Sequence, residues 1–164
     1  MTIRRFREPD RSAIHRITVA CFEEVSLHAI AQRKYGAFRG GAWQERKLAD
    51  VDADLEEDAN GAFVAVEDDG VAGFITTRCD ERTGIGHILN VAVDPDFQGQ
   101  GLGAALLRHA LDHFAQRGLT HAKIETLVNN AAGRHLYPKL GFEELAGQIH
   151  YMLELPPRPV LCEP

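Results

Sequence analysis

The chain has few cysteines, no long apolar run and no block of basic residues, and each shortage closes a class of function. Its three cysteines, Cys21, Cys79 and Cys162, are odd in number and widely spaced. No Cys-x-x-Cys pair or His/Cys cluster at zinc spacing accompanies them, so neither a disulfide scaffold nor a bound metal is expected. They read as incidental thiols of a reduced, cytoplasmic protein. No stretch approaches the ~20 apolar residues that cross a bilayer. The basic start, Met1–Arg7, is followed by no apolar segment of the kind a signal peptide carries. The net charge is −6, and no run of Lys and Arg could track a phosphate backbone. Membrane and nucleic-acid partners are therefore not expected.

What is present suits one domain with its own core: 164 residues, 45% hydrophobic and 26% charged. We expect that domain over residues 1–155, followed by an extended tail over 156–164. A short strand opens the chain at 2–7. Pro9 and the spacing of Ile14, Ile17, Ala20 and Cys21 predict a helix over 9–24. Residues 25–45, punctuated by Gly36, Gly40 and Gly41, read as loop and short helix. Leu48, Val51 and Leu55 share a helical face that ends near Asn60-Gly61. Strands over 62–67, 71–78 and 85–93 form a meander, turning at Asp68-Asp69-Gly70 and at Glu81–Gly84. Leu106, Leu107, Ala110, Leu111 and Phe114 mark a core-facing helix stopped by Gly118. A strand over 121–128, a helix over 131–140 and strands over 142–144 and 150–155 complete the chain. The order is α/β with a mixed sheet.

Between the meander and the core-facing helix lies Gln98-Gly99-Gln100-Gly101-Leu102-Gly103. Glycine lets a ligand approach the backbone because no Cβ intervenes. The helix that follows offers free N–H groups and the positive end of its dipole, so the loop suits a phosphate or pyrophosphate. No Lys followed by Ser or Thr is present, so it is not a nucleotide-hydrolysing P-loop. Gly99 to Ala104 also fits the dinucleotide fingerprint G-x-G-x-x-G/A, with Glu125 placed as its ribose-binding acid. Against that alternative, Asp94–Gln98 separates the glycines from the strand, and the preceding strands are joined by hairpins rather than by a helix.

The segment Val91-Ala92-Val93-Asp94-Pro95-Asp96-Phe97-Gln98-Gly99-Gln100-Gly101-Leu102-Gly103-Ala104 resembles the signature of the GNAT superfamily of N-acetyltransferases, (Arg or Gln)-x-x-Gly-x-(Gly or Ala), at Gln98, Gly101 and Gly103. Asn130 through Leu136-Tyr137-Pro138-Lys139-Leu140-Gly141-Phe142 resembles a second segment of the same family. The resemblance implies a GNAT-like, mostly antiparallel sheet of six to seven strands with about four helices, its fourth and fifth strands splayed. It implies acetyl-CoA as acyl donor. The pantetheine arm would lie along Val91, Ala92 and Val93, the pyrophosphate on the amides of Gln98, Gly99, Gln100, Gly101, Leu102, Gly103 and Ala104, and Asn130 would touch the cofactor from the fifth-strand side.

The implied reaction is direct transfer of an acetyl group to a primary amine of a small molecule or a protein. It needs a base for the protonated amine and an acid for the departing thiolate. By the resemblance Tyr137 stands where family members often carry the acid. His87 stands where some carry a catalytic Glu, and an imidazole titrates near ~6.5. Period-2 alternation puts His87 on one face with Leu89 and Val91, and Asn90 on the other. Phe22, Tyr35, Phe38 and Trp43, with Glu23, Glu24 or the acidic run 50–58, would hold a cationic acceptor, although that run also reads as the solvated face of an ordinary helix. His109 and His113, one turn apart, lack a third metal ligand and read as a solvated face. The terminal strands over 142–155 would support a homodimer. The alternative class is a catalytically silent acyl-CoA-binding module.

Overall fold

The computed structural model of the protein describes residues 1–68 and 70–156. Asp69 of the expected turn, and the expected tail from residue 157 onward, lie outside them. The elements are β1 (Thr2–Arg5), α1 (Arg11–Phe22), α2 (Leu27–Tyr35), α3 (Trp43–Glu57), β2 (Ala62–Glu67), β3 (Gly70–Asp80), β4 (Ile85–Val93), α4 (Leu102–Gln116), β5 (His121–Ile124) and α5 (Ala131–Lys139). The strands form one sheet in the order β1-β2-β3-β4-β5. All neighbours are antiparallel except β4 and β5.

Helices cover both faces of the sheet. On one, Leu102, Leu106, Leu107 and Phe114 of α4 pack against Phe63, Ile75 and Ile88. On the other, Ile14 and Ile17 of α1 and Val51 and Leu55 of α3 pack against Val64, Phe74 and Ala92. Burial on both sides explains why β2 and the middle of β3 read as near-continuous apolar runs rather than alternating ones.

Three expectations change. Five helices form rather than about four, because Ser26 caps α2 by accepting from the His28 amide at 3.2 Å. In the β2–β3 turn the left-handed residue is Asp68 (φ 45°), a short polar side chain that tolerates this region, and not Gly70. Among the described residues the sheet has five strands rather than six or seven. β5 stops at Ile124 instead of Val128, and no strand forms over 142–144 or 150–155. Ile149, Tyr151, Leu153 and Leu155 do alternate as a strand should, yet Tyr151 is 90% exposed and Leu153 80%. Alternation specifies a strand only where a sheet edge receives it. Here the Tyr35 hydroxyl donates to the Met152 carbonyl at 2.9 Å and ties the segment to α2. The pairing surface expected for a homodimer is therefore not present as strands.

Candidate active site

The parallel ladder between β4 and β5 runs from Ile85–His121 to Ile88–Ile124 and ends there. Beyond it, among the described residues, Leu89–Val93 has β3 on one side and no strand on the other. The Asp94 amide donates to the Ala72 carbonyl at 2.8 Å. Antiparallel ladders alternate, so the backbone groups of Val93 and Val91 point away from β3, into the opening. The Val93 carbonyl accordingly accepts from the Gln98 side-chain amide at 3.0 Å and from Cys21 Sγ at 3.2 Å. Ala92 faces α1 and α3 instead.

The glycine loop sits at the end of this opening. Gly99 and Gly101 are left-handed (φ 77° and 84°), and Gly101 is the N-cap of α4. The Ala105 amide is the first of the helix to find a carbonyl, that of Gly101, at 3.0 Å. Among the described residues the amides of Gly99 to Ala104 donate to no protein acceptor, which leaves them free at the positive end of a four-turn helix. The Gln98 side chain is turned back onto Val93 and its amide donates to the Pro95 carbonyl at 3.3 Å, so the amide expected to hold the pyrophosphate is already taken.

α5 packs Tyr137 against the core cluster under α4, against which Val91 and Val93 also pack. The Tyr137 ring lies edge-on to Phe142, centroids 6.1 Å apart. A Cβ at Gly133 would stand 2.9 Å from that ring, so the ring's place depends on a glycine one turn earlier. Burial pushes the Tyr137 phenol up, and the Thr126 hydroxyl acts in the opposite direction. Asn130 caps α5: its Oδ1 accepts from the Gly133 amide at 3.1 Å, and its Nδ2 donates to Thr126 Oγ1 at 2.8 Å. Its side chain is thus committed to the helix start.

His87 lies on a different face from the one alternation predicts. Thr76 pairs with Asn90 and Thr77 with Ile88, so Leu89 is an extra residue in β4. This bulge inverts the parity of everything before it. Gly86 and Ile88 face α4, where a Cβ at Gly86 would lie 2.4 Å from the Phe114 ring. His87 shares the other face with Asn90. Its cross-strand partner Arg78 donates to Glu57 of α3 at 3.4 Å. On the β5 side it pairs with Lys123, whose ammonium holds Glu125 at 2.6 Å. Lys123 keeps the Glu125 carboxylate below the usual range, with a smaller contribution from His87. Sequence reasoning considered Glu125 only as a ribose ligand. Its period-2 spacing from Lys123 was the available signal.

Asn90 is buried and fully engaged, so it is not available to a ligand. Its Oδ1 accepts from Lys47 at 2.6 Å, and its Nδ2 donates to Asp54 at 2.7 Å and Thr76 Oγ1 at 2.8 Å. Burial lowers the Lys47 pKa and raises that of Asp54. The rings expected to hold a cationic acceptor are likewise taken. Lys47 lies 4.6 Å from the Phe22 centroid, Lys34 5.2 Å from Tyr35 and Arg46 4.8 Å from Phe38, while Trp43 is buried. Much of the acidic run is occupied too: Asp50 by His28, Asp52 by Arg11 and His15, Glu57 by Arg78. What remains on this side is a cavity of about 200 Å³ lined by Glu23, Ala29, Gln32, Arg33 and Trp43. Arg33 pairs with Glu24 at 2.8 Å, which leaves Glu23 as its uncompensated charge among the described residues.

His109 and His113 are not a solvated face. His113 is 9% exposed and, with His109, stacks edge-on against Phe63. Leu106, Ala110 and His113 follow the i, i+4, i+7 stripe, so the helix buries the imidazole with its core face.

The acetyltransferase (GNAT) family profile matches residues 9–142. Mycothiol acetyltransferase of Rhodococcus jostii (strain RHA1) is 35% identical over 118 residues, 68% of this chain and 39% of that protein. The ribosomal protein bS18-alanine N-acetyltransferase of Escherichia coli (strain K12) is 40% identical over 91 residues, 54% of this chain and 59% of that protein. Each match thus spans less than two thirds of the relative's own length. The crystal structure of the Escherichia coli ribosomal-protein-S18-alanine N-acetyltransferase superposes with a TM-score of 0.63 at 27% identity, covering 88% of this chain and 79% of that one. The chain therefore belongs to the acetyltransferase (GNAT) family.

Proposed function

We propose that this protein is an N-acetyltransferase that carries an acetyl group from acetyl-CoA directly to a primary amine. The observation that carries the reading is the meeting of two unsatisfied backbone surfaces. The outward Val91 amide and carbonyl and the outward Val93 amide lead to the free amides of Gly99–Ala104, the Val93 carbonyl being taken by Gln98 and Cys21. A ligand with an amide-bearing arm and a pyrophosphate satisfies both, as a pseudo-strand followed by an anion at a helix start. When bound, acetyl-CoA supplies an activated thioester carbonyl.

The chain's own groups supply the rest. Tyr137, kept protonated by its burial, donates the proton that the departing sulfur needs. His87 accepts the proton of the amine. Asn130 contributes by fixing the start of α5, and with it the position of Tyr137. The acceptor enters from the α1–α2 side, where Glu23 and the buried Trp43 line the remaining cavity. Names of relatives that acetylate a ribosomal protein's alanine or mycothiol support an amine on either a polypeptide or a small molecule.

Two measurements test this. Acetyl-CoA should raise the melting temperature and NAD should not; stabilisation by NAD alone would return the loop to the dinucleotide reading. Free coenzyme A should then be released from acetyl-CoA in the presence of some member of a panel of primary amines. Binding without amine-dependent release across small amines and peptide N-termini would instead identify a silent acyl-CoA-binding module.

A further inference from the structure

A second cleft gathers chemistry that acyl transfer does not use. It lies between β1 and the C-terminal half of α4, with a volume of about 310 Å³, and its lining includes Arg4, Arg5, Phe63, His109 and His113. Arg5 stands directly across from Phe63 in the β1–β2 ladder, on the face that α4 covers. The His109 and His113 rings meet the Phe63 ring edge-on, at 4.5 and 5.2 Å between centroids. A guanidinium and two imidazoles therefore converge around one aromatic floor.

Two of these groups lack proper partners. Arg4, on the opposite face of β1, is closed by a bidentate pair with Asp10 at 2.7 and 2.8 Å. Arg5 meets only the Asn60 side-chain oxygen, at 3.0 Å, and no carboxylate among the described residues. Arg5 lines the cleft and is exposed to solvent, so it is open to a ligand. His113 is buried, and among the described residues its ring finds only Cys79 Sγ, at 3.9 Å. The one carboxylate in the lining, Asp112, is exposed to solvent.

We propose that this cleft is a second binding site, for a small oxyanion presented as a phosphate or carboxylate group, held by Arg5, His109 and His113 over the Phe63 ring. The planar guanidinium fork matches two oxygens of such a group, and each imidazole has a ring N–H to add. The site lies on the same helix as the glycine loop but at its other end, so the two are separately observable.

Histidine-ring and backbone NMR of the full chain, titrated with inorganic phosphate and in parallel with malonate, tests this. The ring signals of His109 and His113 should shift and saturate in at least one arm, and the arm that saturates tells phosphate from carboxylate. Arg5→Gln should weaken that binding by about tenfold or more, the scale of one charge-assisted hydrogen bond, and His109→Gln should weaken it as well. Shifts that stay linear, or an affinity unchanged in Arg5→Gln, would overturn the proposal. So would phosphate effects confined to the amides of Gly99–Ala104.

Discussion

The Lys47 ammonium donates to the Asn90 side chain at 2.6 Å, and the same side chain donates to Asp54 at 2.7 Å. One buried amide thus bridges a cation and a carboxylate of α3 at the bulged middle of β4. Asn90→Leu removes both bonds and leaves two charges partly buried. We predict a loss of about 2–4 kcal/mol in urea unfolding. Adding Lys47→Met to it should cost less than the two single changes summed, because the pair shares one network. An unfolding midpoint unmoved by Asn90→Leu would show that the network contributes nothing.

Tyr137 and His87 are separable by pH. Burial raises the Tyr137 pKa, so its acid form persists to more alkaline pH than an exposed tyrosine's. The rate should therefore hold at mildly alkaline pH and fall only as the phenol ionises. Tyr137→Phe should lower turnover about tenfold or more while acetyl-CoA still binds. A normal rate in that variant removes Tyr137 from the chemistry.

His87→Ala should flatten the acidic limb of the pH–rate profile, where a protonated imidazole can no longer accept a proton. An identical acidic limb in the variant would assign the base to another group.

Gly101 caps α4 at φ 84° with nothing within 4 Å of where a Cβ would stand. The cost of a side chain there is conformational rather than steric. Gly101→Ala should destabilise by about 1–2 kcal/mol. Gly101→Asn should cost less, since Asn tolerates the left-handed region. Thermal unfolding that ranks Asn below Ala would contradict this.

The Arg4 hydrogen bond, with help from the Arg7 amide, holds the Asp10 carboxyl below its usual pKa. A carboxyl depressed on folding adds stability above its ordinary value of ~3.9, and that stability is lost as pH falls through the folded value. Asp10→Asn should therefore cost about 2 kcal/mol at neutral pH and progressively less below pH ~4. A cost that stays constant down to pH 2 would mean that the charge of Asp10 does not matter.

Some of this was legible in the residues. Gly99, Gly101 and Gly103 before an apolar helical stripe announce a strand–loop–helix, because the constraint is local: positive φ at Gly99 and Gly101. Tyr137 was legible through its segment's resemblance. The face of His87 was not. No residue marks the bulge at Leu89, which exists because β3 and β4 pair with unequal lengths. The fate of Phe22, Tyr35 and Phe38 was equally hidden, since Lys47, Lys34 and Arg46 cover them through folding. The alternation of Ile149–Leu155 misled, because a period-2 pattern states what a strand needs and not whether an edge is there to pair with.

By itself the sequence determined the order of elements from β1 to α5, the helix stripes and the glycine turn ahead of α4, all products of short-range periodicity and backbone freedom. Only the tertiary structure decided where β4 and β5 part, which face His87 takes and which charges remain unpaired in the cavity beside Trp43. Those depend on strand register and on contacts between residues far apart in the chain, and neither is written in any local pattern.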